Sequence, residues 1–263
     1  MIGFETIGNA NATFFDNSKP VLTTDPWVDG KPYFGSWMHR YSIPKQQREN
    51  ILNSKYVWFS HGHPDHLDEE STKLFTKSVF LIPDHYGDRI FNHFKKNFNC
   101  IKLKSNEWFQ ISKNIKVKCF SDWNQDATLL VDILSKDIVF NQNDGKSLGW
   151  SNVIKETIKN YKNRFLLKLA GWGDADMINI YDEENKFIKP YASFQPNVGE
   201  MYSSSMKTWN CNFALPFSSM HQYARKDSIK MNEYVTPLNR HGDGFDSKAG
   251  ELLPAFIIWD SEK

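Results

Sequence analysis

The sequence predicts one mixed domain of the α/β (α+β) class spanning residues 1–263, and three observations carry that reading. Short β-branched and aromatic runs alternate with amphipathic stretches as far as residue 98, and five strand-like runs follow one another from 100 to 141. Hydrophobic residues make up 40% of the chain and aromatic residues 15%, enough for a large core, and no Pro, Gly or Ser tract divides it.

The elements follow in order. FETIGNANATFF (4–15) and VLTTD (21–25) suit strands of one sheet. Gly30, Pro32 and Gly35 mark a loop carrying Tyr33, Phe34 and Trp37. In SIPKQQRENILN (42–53), Ser42 as a cap, Pro44 early and apolar Ile51 and Leu52 predict a short helix. YVWFS (56–60) is a continuous apolar run of strand length that stops at His61. DEESTKLF opens with acids, as suits the positive end of a helix. VFLIP (79–83) is a buried strand, and Ile90, Phe91, Phe94 and Phe98 recur at helical spacing. CIKLK, EWFQI, NIKVKCF, ATLLVDI and DIVFN then form an antiparallel meander. Val153, Ile154, Ile158 and Tyr161 share a helical face ahead of the strand FLLKLA. Beyond 171 periodicity is weak, predicting loops, short helices and the strand FALPF.

Composition excludes several functions. With 32 Lys and Arg against 31 Asp and Glu, the chain has no charge excess for coating nucleic acid or binding acidic membranes. Three widely spaced cysteines build neither a disulfide framework nor a Cys-x-x-Cys cluster, which suits a reducing, cytoplasmic compartment. No run approaches the roughly 20 apolar residues of a membrane span. What composition leaves unexplained is histidine: of eight, three (His61, His63 and His66) fall within six residues.

That hexapeptide, HGHPDH, follows the apolar strand directly. Residues i and i+2 on a strand share a face, so His61 and His63 aim at one point, and a turn at Pro64 swings Asp65 and His66 toward a neighbouring one. Gly62 is expected to leave room for close backbone packing. Four candidate ligands in six residues would be costly to bury without a cation.

HGHPDH matches the His-x-His-x-Asp-His signature of the metallo-β-lactamase superfamily. With TDPWVDGKPYFGSW (24–37) and VFNQNDG (139–145), the chain resembles the branch containing CMP-N-acetylneuraminate hydroxylase and its bacterial relatives. The resemblance covers roughly 5 to 230, densely only in those blocks. It implies a four-layer αββα metallo-β-lactamase-like sandwich with one or two divalent ions at one edge, zinc expected first and iron or manganese as alternatives. Carried over, His61 and His63 hold one metal, Asp65 and His66 the second, and Asp144 bridges them. The superfamily's third histidine is missing, because residues 94–220 contain none. Asp122, or else Asp126, stands where it belongs, and a two-imidazole, one-carboxylate set favours harder cations. Near the C-terminus His221 could serve as the last ligand, or Arg225 could replace it with an anion-binding fork. His39, His85 and His93 read as packing or capping residues and His241 as a surface loop residue.

The resulting expectation is a metal-dependent hydrolase using activated water on a small ester, phosphoester or amide, with Asp65 (or Asp144) orienting or deprotonating the nucleophile. An iron-dependent hydroxylase with a separate electron donor is the alternative, since the chain lacks the paired Cys and His ligands of a Rieske cluster. A non-catalytic binding protein is the third. The expected partner is a small molecule, a nucleotide-sugar or other phosphorylated compound of sugar metabolism, rather than nucleic acid. Phe34, Trp37, Trp172 and Tyr202 are candidate pocket walls, GWGDADM (171–177) a candidate site mouth, and His39-Arg40 a candidate anion contact.

Overall fold

The computed structural model describes residues 1–147, 149–171 and 181–263, so Trp172 and most of the GWGDADM segment lie outside the described residues. The chain opens with β1 (Gly3–Ile7), β2 (Asn11–Asp16) and β3 (Lys19–Thr24). A single turn, α1 (Pro32–Gly35), then β4 (Trp37–His39) and α2 (Lys45–Leu52) lead to β5 (Tyr56–Trp58). Next come α3 (Glu69–Thr72), β6 (Val79–Pro83), α4 (Arg89–Phe94) and β7 (Cys100–Leu103). The meander is β8 (Trp108–Gln110), β9 (Ile115–Ser121), β10 (Ala127–Ile133) and β11 (Asp137–Asn143). After it run α5 (Ser151–Ile158), β12 (Asn163–Lys168), α6 (Val198–Trp209), β13 (Phe213–Pro216), β14 (His221–Tyr223), β15 (Glu251–Leu252) and β16 (Ile258–Asp260).

The strands form two seven-stranded sheets, ordered β16-β1-β2-β3-β5-β6-β7 and β15-β13-β12-β11-β10-β9-β8, and a small β14-β4 pair. In each large sheet one half is antiparallel and the other parallel. The parallel strands β3 and β5 end beside Asp25 and His61, and β11, β12 and β13 end beside Asp144 and Ser218. Carboxyl ends of parallel strands are where open α/β sheets place ligands.

Burial explains why so many strands read as continuous apolar runs. Trp58, Leu81, Leu129, Val139, Phe165 and Leu167 point between the sheets. Their sequence neighbours point outward: Phe59 and Phe80 meet Ile51, Phe75 and Phe94 from the first helical layer, and Leu130, Phe140 and Leu166 meet Ile154, Tyr202 and Met206 from the second. Both faces of each sheet are therefore covered. The result is a four-layer αββα sandwich.

Several local expectations are corrected. The first regular helix starts at Lys45, with Pro44 extended at its N-cap position and Ser42 outside it. α6 is a 12-residue helix in a stretch expected to hold loops and short helices. It buries Val198, Tyr202, Met206 and Trp209, so Tyr202 is a core residue whose hydroxyl donates to Leu169 O at 3.1 Å, and no pocket wall. A Cβ on Gly62 would meet only Ile90 Cδ1 at an ordinary 3.6 Å, so that glycine is not demanded by backbone packing. His241 is 5% exposed and hence buried, not a surface residue.

Candidate metal centre

β5 delivers the hexapeptide to the sheet edge. Asp25 follows β3 with φ +41°, a left-handed backbone that L-residues adopt only at a cost. Its carboxylate accepts from Ser60 N–H (2.7 Å) and Ser60 Oγ–H (2.8 Å), fixing the residue before His61. The turn at Pro64 forms as expected: His66 N–H and Leu67 N–H both donate to His63 O, at 3.0 and 2.9 Å.

Two donor groups result. His61 Nε2 lies 2.7 Å from His63 Nδ1 and 4.0 Å from Asp144 Oδ2, and the ligand atoms of these three residues all lie within 4.8 Å of one another. His66 Nε2 lies 3.3 Å from Asp65 Oδ2 and 3.4 Å from Asp144 Oδ2. Asp144 Oδ2 thus stands between the pairs, as a bridging ligand would. One test favours a cation here. His66 Nε2 is buried and, despite two nearby carboxylates, has no hydrogen-bond partner. The residues fit a pair of divalent ions.

The other candidates are placed as follows. Asp122 caps its own turn, accepting from Asn124 N–H (2.8 Å) and Asp126 N–H (3.1 Å), whereas Asp126 Oδ1 comes within 3.4 Å of His61 Nδ1. The carboxylate the fold brings to the first pair is therefore Asp126, on the side of the His61 ring away from His63. His221 is fully buried with both ring nitrogens unpartnered, stacked on Trp37 at 3.3 Å between centroids and 2° between planes. Trp37, offered above as a pocket wall, is thus buried against a candidate ligand. Arg225 lies at the surface in a two-bond pair with Asp227 and donates to Phe34 O at 3.3 Å. Its charge is already matched, which removes it from anion binding. Phe34 is almost fully exposed, and His39 packs on Trp27 with ring centroids 4.0 Å apart.

Three residues near Asp65 and His66 were not among the predicted ligands or pocket walls. Tyr33 Oη–H donates to Asp65 Oδ1 at 2.7 Å from α1, where Tyr33, Phe34 and Gly35 all have positive φ (53°, 58° and 81°). Asn9 Nδ2–H donates to Asp65 Oδ2 at 3.1 Å, and its Oδ1 accepts from Met220 N–H, tying Asp65 to the segment that carries His221. Asp25 Oδ2 lies 3.2 Å from His66 Nδ1. The one sequence hint was Asp25 at the end of a β-branched run.

The protein's own charges and burial set the electrostatics of the cluster. Burial alone would raise Asp65, but the charge of His66 and the hydrogen bond from the Tyr33 hydroxyl together hold it below the carboxylate range. Burial opposes charge on His66, yet Asp65, Asp144 and Asp25 push it well above its ordinary value. Burial, aided by the neighbouring His66, drives His61 down to about 3. Burial and the charge of Asp144 push Asp126 up to about 7.

A cavity of about 730 Å³ opens beside the first pair. His61, His63 and Asp126 form one end, Ile90 the apolar wall, and Arg89 and Lys96 the rim, neither of the last two ion-paired among the described residues.

The layers and the edge position of the site define the class: the chain has the metallo-β-lactamase-like αββα fold. Among solved structures it is similar to CmlA, a diiron β-hydroxylase from Streptomyces venezuelae, with TM-score 0.62 and 10% identity, covering 98% of this chain and 53% of that one. It is also similar to the isothiocyanate hydrolase from Delia radicum gut bacteria, with TM-score 0.56 and 12% identity over 98% of each chain. In sequence it is 22% identical over 143 residues to cytidine monophosphate-N-acetylneuraminic acid hydroxylase of Asterias rubens. That match takes in 48% of this chain but only 22% of that protein's length. No family model matches the chain. Among the described residues no helix is long and apolar enough to cross a membrane.

Proposed function

We propose that the chain is a metal-dependent hydrolase of small anionic substrates, with two divalent cations sharing Asp144. The observation that carries the reading is the pair of donor groups on either side of Asp144 Oδ2, the first of which, His61 and His63, lines a cavity that Arg89 and Lys96 also line. His61 and His63 would hold one cation, Asp65, His66 and the unpartnered His221 the other, and Asp144 both. Bound there, divalent cations lower the pKa of water toward about 7 and polarise a scissile carbonyl or phosphoryl oxygen. Arg89 and Lys96 recruit a phosphate or carboxylate, and Ile90 keeps the reacting bond out of bulk water. Tyr33 and Asn9 fix the rotamer of Asp65, leaving it positioned to orient the nucleophile.

One observation favours a second reading, an iron-dependent hydroxylase working with a separate electron donor. The donor set at the first position is two imidazoles and one carboxylate, His61, His63 and Asp144, with Asp126 beside His61 Nδ1 as a support for the ring, and such a set suits harder cations than three imidazoles would. The hydroxylase names of two relatives agree with it. Purification without added metal followed by elemental analysis separates the two. Zinc at two per chain with turnover of phosphoester or ester probes supports hydrolysis, while iron with oxygen consumption and no hydrolysis overturns it. Arg89→Ala is expected to raise KM for an anionic probe several-fold with kcat little changed; an unchanged KM would remove the cavity from the substrate path.

A further inference from the structure

We propose that Ser60 relays the carboxylate of Asp25 to His61, so that one buried acid orients an imidazole of each cation position. This rests on the dinuclear reading above, but its first test needs no metal.

The geometry closes a chain of hydrogen bonds with a single consistent direction. Ser60 Oγ–H donates to Asp25 Oδ2 at 2.8 Å, which leaves the Ser60 oxygen lone pairs to face His61 Nδ1, also at 2.8 Å. A hydroxyl has one proton, and once that proton is given to the carboxylate the hydroxyl can only accept from the ring. His61 must then carry its proton on Nδ1 and present the Nε2 lone pair to His63 and Asp144. The other oxygen near Nδ1, Asp126 Oδ1 at 3.4 Å, is also an acceptor and points the same way. Asp25 Oδ2 also faces His66 Nδ1 at 3.2 Å, where the Asn143 side-chain amide lies at 3.2 Å too; a proton on Nδ1 for Asp25 requires that amide to turn its otherwise unpartnered oxygen to the ring, and Nε2 of His66 is then the atom left to face Asp65 and Asp144. Three supports hold the relay. Ser60 N–H donates to Asp25 Oδ1, Asp25 N–H donates to Trp58 O, and the His85 Nε2 proton reaches Ser60 O at 3.1 Å. Asp25 and Ser60 are both buried. Such outer partners fix ring orientation and tautomer, and losing one typically costs about 10- to 100-fold in metal affinity.

The test is long-range ¹⁵N–¹H correlation on the histidine rings of the metal-free chain, then during titration with zinc chloride. The expected result is a neutral Nδ1–H tautomer for His61 in both states. An Nε2–H tautomer for His61 in the metal-free chain overturns the relay. If His61 is Nδ1–H but zinc never binds, the relay stands and the dinuclear reading fails. Ser60→Ala should weaken the first zinc affinity about 10- to 100-fold, with thermal melting to confirm folding, and Ser60→Thr should restore it. Equal zinc affinity in the alanine variant and the wild type would also overturn the proposal.

Discussion

Single side chains decide which carboxylate completes the first pair. Asp122 and Asp126 are four residues apart and indistinguishable in sequence, but the turn spends Asp122 on two backbone N–H groups and turns Asp126 toward His61. Asp126→Ala is therefore expected to lower metal content or affinity at least about 10-fold, measured by competition with a chromogenic chelator. Asp122→Asn, which retains an oxygen acceptor, should change it little. Tyr33→Phe removes a charge-assisted hydrogen bond worth about 1.5–3 kcal/mol, so affinity at the Asp65 position should fall about 10-fold or more while the first cation still binds. Both cations weakening together would mean that Tyr33 supports the fold and not the site. What could be read from the sequence at this scale was the hexapeptide and Asp144, where spacing or a strand end sets direction. Asp25, Ser60, Asn9 and Tyr33 could not be read, because their contacts join segments 32 to 211 residues apart or hang on a hydroxyl rotor.

Among the elements, alternation was readable wherever a strand is buried on both sides. Phe165 and Leu167 face the inter-sheet core and Leu166 faces α6, so every residue of the run is apolar and its length identifies it as a strand. Phe165→Ala is expected to cost about 3–5 kcal/mol in a urea titration, since the ring also contacts Phe4, Phe213 and Trp259. A loss below about 1 kcal/mol would mean the inter-sheet layer is loosely packed. The bounds of α6 could not be placed, because buried Ser203 and exposed Glu200, Ser204, Lys207 and Thr208 dilute the apolar signal. Val198, Tyr202, Met206 and Trp209 nevertheless recur at helical spacing, and that spacing was the cue to use. β14 and β15 are only three and two residues long, too short for a period to show.

For the whole molecule, buried neutral histidines set the response to acid. Burial lowers both His39 and His241 to about 4 from an ordinary 6.5, so the folded state binds fewer protons than the unfolded chain between those values. Their stabilisation is complete above about 6.5 and is lost as pH falls toward 4, at roughly 1.4 kcal/mol per group per pH unit. The melting temperature of the metal-free chain should therefore fall across that window, and His241→Gln should flatten the dependence. A melting temperature constant from pH 7 to 4.5 would contradict the burial of these rings. The four-layer arrangement itself followed from the resemblance and not from periodicity, because pairing order between distant strands leaves no local trace.

The outermost strands carry a last consequence, which concerns timing during synthesis. β15 and β16, within the stretch 251–260, complete the edges of different sheets, and β16 pairs with β1 near the start of the chain. β1 can gain that neighbour only after some 250 residues have been made, so until then it presents an open row of backbone donors and acceptors to other nascent chains. Gly3 sharpens the requirement, since a Cβ there would fall 1.9 Å from Trp259 O and keep the closing strand from seating. Translation that stalls shortly before residue 251 would release a chain already holding its donor residues but with two adhesive edges, a candidate for aggregation rather than for slow function.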